Sequence, residues 1–400
     1  MNDSRRRVEG RTAEAGGAPV HPSLATPTRS GSGGSCQAEG IMSDHVTSPT
    51  TPSPADHGSV SSTASVRTVA GSSAGAVGGG GAAAVGGGGA VGGVDGIDEP
   101  AIATDAIEWF DRNARDLPWR RPEAGAWGVL VSEIMLQQTP VSRVLPAYEA
   151  WLARWPTPAA LAADEPAEAI RAWGRLGYPR RALRLHACAS VIAERHDGIV
   201  PDDVALLAAL PGIGTYTAHA VATFAYRQRY PVVDTNVRRF VARVVAGEPD
   251  GGAATTPADF RATEALLPLT PWRAARASAA FMEIGALICT ARAPRCALCP
   301  VAGRCQWRAT GSPAATGPAR RPQTYAGTDR QIRGRLLAIL RDATDPVPTA
   351  ALDAAWPDPA RRAGALASLL DDGLVVEITA GHYALGGTRW SASDQPQSNG

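Results

Sequence analysis

Leu210-Pro211-Gly212-Ile213-Gly214-Thr215-Tyr216-Thr217-Ala218, an apolar run, and then Tyr230-Pro231-Val232-Val233-Asp234-Thr235-Asn236 form the stretch around which the rest of the chain is arranged. Leu206, Leu207 and Leu210 close one helix. Pro211 to Gly214 cannot continue it, and Thr215 is a suitable N-cap for a second helix through Ala218, Val221 and Ala222. The pattern is a helix-hairpin-helix. Gly212 and Gly214 let the backbone approach another surface, and the free amides at the next helix start make an anion site suited to a DNA phosphate. Asp234 follows Val232-Val233, where an acid is otherwise poorly placed, and this marks it as a reaction-centre candidate. A plain glycine turn followed by an N-cap aspartate is the competing reading of these residues taken alone.

Upstream, Val129 to Thr139 (Val-Leu-Val-Ser-Glu-Ile-Met-Leu-Gln-Gln-Thr) places Glu133 inside an apolar helical run, with Gln137 one turn later on the same face. A lone buried carboxyl has a raised pKa, the state required of a general acid. The alternative is a glutamate solvated on the polar side of its helix. Pro140 ends this helix after Gln137, Gln138 and Thr139, a polar tip suited to meeting bases. Before it, Arg115-Asp116-Leu117-Pro118-Trp119-Arg120-Arg121 is an Arg/Trp cluster suited to phosphate contact and stacking. The turn Gly174 to Tyr178, carrying Leu176 and Tyr178 and followed by Arg180, Arg181 and Arg184, has the components to enter a duplex and grip its backbone. A loop packed on the core is the other reading.

Four of the six cysteines fall at Cys289, Cys296, Cys299 and Cys305, spaced C-x6-C-x2-C-x5-C. Four thiolates in this short span can enclose one [4Fe–4S] cluster, whereas structural zinc usually shows two close Cys-x-x-Cys pairs far apart. Disulfides are the competing arrangement. The remaining Cys36 and Cys188 are isolated, and no secretory signal accompanies them. Arg292 and Arg295 lie in the first cysteine loop, at the surface, placed to meet phosphates.

Residues 1–100 are rich in Gly, Ser, Ala, Thr and Pro, with tracts such as Gly78 to Gly81, and cannot bury enough surface to offset their ordering entropy; they read as a disordered tail. Arg5, Arg6 and Arg7 have acidic neighbours and no apolar run of signal or membrane length, so a plain tail is preferred over a targeting arm. Residues 101–310 have globular composition and helical periodicity, which makes the core all-α. They carry 24 Arg against 20 Asp plus Glu, an excess too small to identify a nucleic-acid binder by itself. The chain has no lysine, and all 39 basic residues are arginines, which excludes lysine Schiff-base chemistry. A linker, 311–325, leads to helical stretches 329–342, 349–356 and 359–373. Short strands near Leu374 to Val376 and His382 to Leu385 follow, with Gly381 at their turn. Residues 326–388 thus read as a winged-helix-like module, and 389–400 as a second disordered tail.

These motifs, in one order over residues 105 to 308, resemble the helix-hairpin-helix DNA glycosylases of the endonuclease III superfamily, and specifically the MutY-type adenine DNA glycosylases. The resemblance implies a two-lobed helical core with a [4Fe–4S] cluster loop and a DNA cleft between the lobes. It implies excision of adenine opposite 8-oxoguanine or guanine in double-stranded DNA, by a monomer with no membrane role, cytoplasmic and nucleoid-associated. Glu133 matches the family's general acid at adenine N7, and Asp234 the carboxylate that stabilises the sugar cation. Tyr216 and Asn236 match residues that orient these carboxylates, and Arg115 one near the flipped base. Gln138 and Tyr178 match residues that wedge beside the guanine lesion. Tyr216 also stands where strand-cleaving relatives place a catalytic lysine, so the enzyme is expected to be monofunctional. Two departures stand out. Ala279 replaces a Gln or Glu that touches adenine in many relatives, and a short form is expected, since about ninety residues follow Thr310 where well-known members have a longer Nudix-like domain. A narrower preference for 8-oxoguanine over guanine is therefore expected. The alternatives are a thymine or uracil mismatch glycosylase, whose relatives lack a glutamate at Glu133, and a non-catalytic iron–sulfur DNA-binding regulator, which would not need the Glu133 and Asp234 pair.

Overall fold

In the computed structural model, residues 99–315 and 325–389 are described; the tail over 1–98 with Arg5 to Arg7 and Cys36, the linker over 316–324 and the tail over 390–400 lie outside the described residues. The core runs α1 (Glu99–Asn113), α2 (Gly125–Leu136), α3 (Val141–Arg154), α4 (Pro158–Ala163), α5 (Pro166–Trp173), α6 (Arg180–Arg195), α7 (Val204–Ala209), α8 (Thr215–Phe224), α9 (Thr235–Val241), α10 (Pro257–Ala265), α11 (Pro271–Leu287) and α12 (Gln306–Ala309). α1 therefore begins inside the stretch assigned to the first tail. Many starts are set by short polar side chains. Thr157, Asp203 and Asp234 each accept a first-turn amide, and Thr256 with Asp259 forms a reciprocal capping box.

Two apolar clusters organise these helices. One gathers α2 to α8 around Trp151, which meets Trp155 and Trp173 edge to face at 4.6 and 5.7 Å. The other joins α1, α9 and α11 to the cysteine segment, with Phe240 stacked on Phe281 at 5.2 Å. The sequence positions show that the second cluster is built from both ends of the core, with the first inserted between them.

Two local expectations are corrected. α8 starts at Thr215 with Gly214 as its N-cap, and no side chain caps it, because Gly214 already has the extended conformation (φ −100°, ψ 178°). α2 stops at Leu136, before Gln137, whose φ of −55° and ψ of 110° leave the helical region. The helical pairing of Glu133 with Gln137 is therefore absent.

The C-terminal module comprises α13 (Asp329–Asp342), α14 (Thr349–Asp353) and α15 (Pro359–Asp371) with strands β1 (Val347–Pro348), β2 (Val375–Thr379) and β3 (His382–Leu385). β2 and β3 are antiparallel, Val375 opposite Leu385, and β1 pairs with the other edge of β3, giving the order β1-β3-β2. The sequence reading contained no β1, since two residues ending in proline carry no strand periodicity. α14 and α15 are also each shorter than expected.

Candidate active site

α2 carries Glu133 through the middle of the first apolar cluster. Trp127 to Met135 are all buried, so this helix has no polar side on which a glutamate could be solvated, and Glu133 is only 6% exposed. Burial pushes its carboxyl up to about 7; a hydrogen bond from Tyr216 pulls down, the charge of Asp234 pushes up further, and Arg120 pulls down. Tyr216 is the second residue of α8, which packs on α2. Burial beside both carboxylates drives the phenol well above its ordinary value, so its hydroxyl remains a donor to Glu133.

Asp234 is the N-cap of α9. One oxygen accepts the Val237 amide at 2.7 Å and the other accepts the Asn236 side-chain amide at 2.9 Å. Burial raises its pKa, opposed by those two hydrogen bonds and by the charge of Arg239. The N-cap reading of Asp234 is thus what the structure shows, and the same carboxylate lies close enough to Glu133 to repel its ionised form. Asn236 in turn accepts from Arg239 at 2.9 Å. The buried Arg239 guanidinium also donates to the carbonyls of Gly285 and Cys289, each at 2.7 Å. A continuous line of hydrogen bonds therefore runs from Asp234 to the cysteine segment.

Glu283 of α11 was not singled out by sequence reasoning. It is fully buried and accepts Arg115 through both oxygens at 2.7 Å and Arg120 at 2.8 Å. Burial alone would raise its pKa, but the two guanidiniums hold it down to about 2. Arg115 and Arg120 are consequently committed to Glu283 rather than offered to phosphate. The only local signal was an acid inside the apolar sequence Phe281-Met282-Glu283-Ile284.

Four other expected DNA contacts are internal. Trp119 is buried edge to face against Tyr148 at 5.3 Å, so its ring is not available for stacking on a base. Thr139 is buried, donating to the Leu176 carbonyl and accepting from Arg181. Leu176 is buried in the first cluster. Arg181, read as a backbone-gripping residue, is buried too, donating to the carbonyls of Ile134, Met135, Gln137 and Gly177. It ties the 137–139 and 174–178 loops together. On those loops Gln138 and Tyr178 are exposed and share the left-handed conformation, at φ 54° and 48°. The hairpin presents Gly212 (φ 77°) and Gly214 to solvent. A side chain on Gly212 would meet the Arg184 stem at 2.9 Å, and the first amides of α8 have no preceding helical carbonyl.

Cys289, Cys296, Cys299 and Cys305 line a cavity with Arg243 and Trp307. The four thiols thus gather around one shared cavity. With their C-x6-C-x2-C-x5-C spacing, four thiols around one cavity fit a [4Fe–4S] cluster. Burial pushes the Cys299 thiol up to about 12. Arg243, in a π-helical turn at Ala242–Ala246, stacks over Trp307 and donates to the Cys289 Sγ at 3.4 Å. Arg292 is exposed on the first cysteine loop. Arg295, though also exposed, is turned back onto the Leu287 carbonyl and so is less free for phosphate than expected.

Residues 131–262 match the model of the HhH-GPD superfamily of base excision DNA repair proteins, and residues 289–305 match the iron-sulfur binding domain of endonuclease III. The chain accordingly holds a [4Fe–4S] cluster, in the segment that carries Cys289, Cys296, Cys299 and Cys305. It is 59% identical over 282 residues to the adenine DNA glycosylase of Mycolicibacterium smegmatis, covering 70% of this chain and 94% of that one. Identity to the adenine DNA glycosylase of Mycobacterium tuberculosis is 56% over 285 residues, covering 71% and 93%. The human adenine DNA glycosylase is 38% identical over 210 residues, covering 50% of this chain and 38% of its own length. By that identity and coverage, the chain belongs to the adenine DNA glycosylase family.

Proposed function

We propose that the protein hydrolyses the N-glycosidic bond of adenine mispaired with 8-oxoguanine or guanine in duplex DNA and leaves the strand uncut. It works as a monomer, and its substrate places it in the cytoplasm with the nucleoid. The observation that carries this reading is the pairing of a buried carboxyl at about 7, Glu133, with a capped and hydrogen-bonded carboxylate, Asp234. Environments that separate two carboxyls in this way assign one as acid and the other as anion.

Adenine first leaves the stack, which costs a few kcal/mol and least at a mispair. Glu133 gives its proton to N7, so that the C1′–N9 electron pair departs on a neutral base. Asp234 stabilises the positive sugar left behind, as the second carboxylate does in glycoside hydrolysis. Water then bonds to C1′ and its proton returns to Glu133. Tyr216 orients Glu133, while Asn236 and Arg239 keep Asp234 in place and favour its anion. Gly212, Gly214 and the α8 amides meet a backbone phosphate, Arg292 another, and Gln138 and Tyr178 contact the base opposite the adenine. The cluster, when bound, supplies the closure that fixes the cysteine loop.

Without lysine the chain cannot form a lysine Schiff base with the abasic sugar. The product strand should therefore be intact until alkali cleaves it, on duplexes carrying A opposite 8-oxoguanine and opposite G. Efficient borohydride trapping of the protein on DNA, or excision of T or U instead of A, would overturn the proposal.

A further inference from the structure

The C-terminal module is fastened to the core on both sides of one loop. Its apolar core is completed by Ala167 and Ile170 of α5, and its last turn presses on the same helix, Gly387 lying so close to Pro166 that a side chain there would clash. Ahead of the loop, Arg171 in the last turn of α5 donates to the carbonyls of Arg341 and Ala343, closing the C-terminal end of α13. Behind it, Arg180 opens α6 and pairs with Asp372 at 3.1 Å, while the other Asp372 oxygen accepts from Arg333 of α13. Between the two fastenings lies the 174–178 turn, with Tyr178 46% exposed at φ 48°. The next residue after Arg180 is Arg181, which joins this turn to the Gln138 loop.

The module is poorly equipped to read DNA with its own charges. On α15, Arg361 is paired with Asp329 and the Gly327 carbonyl, and Arg362 with Asp353 and the Trp356 carbonyl. We propose that the module acts as a brace. Asp372, through Arg180, keeps the Tyr178 turn in its exposed left-handed form, and is a positioning residue for discrimination at the base opposite the adenine. This rests on the proposed adenine excision. A left-handed tyrosine is a strained, sparsely populated conformation that persists only where its surroundings over-determine it. Asp372 is half-buried beside the exposed Arg180, and asparagine keeps its shape and its oxygen acceptor, so neutralising Asp372 should free the turn without unfolding the protein.

The test is a double-mutant cycle in the full chain with Asp372→Asn, Tyr178→Ala and both together. Each variant is assayed for affinity on duplexes holding an uncleavable 2′-fluorinated adenine nucleotide opposite 8-oxoguanine or opposite T, alongside thermal stability and single-turnover excision. The expected result is that Asp372→Asn lowers the preference for the lesion duplex about five- to tenfold at unchanged stability. Tyr178→Ala should do the same, and the double variant should be no worse than Tyr178→Ala alone. Additive losses, an unchanged preference in Asp372→Asn, or equal weakening on both duplexes with a lowered melting temperature would each overturn the brace. Because the duplexes are uncleavable, the cycle reads the brace even if excision of adenine fails; that failure would show in the turnover assay alone.

Discussion

Moving a carboxyl from 4.5 to about 7, as burial does at Glu133, costs on the order of 3 kcal/mol once it ionises in the folded state. Below pH about 4.5 the group is protonated in both the folded and unfolded chain and the penalty is absent; it grows as pH rises to about 7 and is complete above that. Glu133→Gln should therefore be more stable than the parent at pH 8, by up to about 3 kcal/mol, with the gain vanishing near pH 4.5. Denaturant melts at the two values check this, and an equal or lower stability of the variant at pH 8 would contradict it. Glu283 has the opposite sign. Lowered to about 2, it adds stability above its unfolded value that disappears as pH falls towards 2. The rate should fall above pH about 7 as Glu133 ionises, and on the acid side as Asp234 protonates, at a higher pH than an ordinary aspartate because burial raises it. Glu133 was legible because an acid inside an apolar run breaks the pattern around it. Glu283 breaks its pattern equally, but its partners lie 168 and 163 residues away, where no local spacing reveals them.

The elements that hold the two carboxylates are set by close backbone approaches. Gly285 of α11 lies against the first turn of α9, where a Cβ would meet the Asn236 carbonyl oxygen at 2.7 Å and its Cβ at 2.9 Å. Gly285→Ala should push α9 away from α11, at a cost of about 1–3 kcal/mol. It should lower the single-turnover rate more than DNA affinity, because Asp234 and Asn236 ride on that turn. An unchanged rate in a folded variant would show that this position does not govern the site. The hairpin, the α2 run and the cysteine spacing were readable because each is a contiguous pattern with one physical meaning. The helix starting after Gly214 instead of Thr215 was not, since a glycine already in extended form can take the capping position without a side-chain bond. Leu176 misled because an apolar residue on a glycine turn reads as surface until its packing is known, and Thr139 and Arg181 because polar side chains near such turns read as surface until their distant carbonyl partners are known.

At the scale of the molecule, three apolar clusters among the described residues share the work, and the third crosses from core to module. Ala167 and Ile170 are buried under α13, so removing the chain from residue 325 onward would expose an apolar face on α5. Losing the burial of Ile170 alone should cost about 2–3 kcal/mol. The truncated protein should consequently melt lower and turn over both mispairs more slowly; a truncation as stable as the full chain would contradict this packing. This contact could not be read from the sequence, where α5 looks like one more amphipathic helix whose partner is not specified. The Cys289 carbonyl and Arg239 likewise join the cysteine segment to Asp234 across the second cluster, a link that only the fold makes visible. What these arrangements serve, on this account, is a single proton delivered by Glu133. The most direct measurement is single-turnover release of adenine from a duplex with A opposite 8-oxoguanine, enzyme in excess, by the parent and by Glu133→Gln, with affinity for the uncleavable duplex measured in parallel. The predicted result is a rate lowered by about 10²–10⁴-fold with duplex binding retained, whereas excision within about tenfold of the parent would contradict the account.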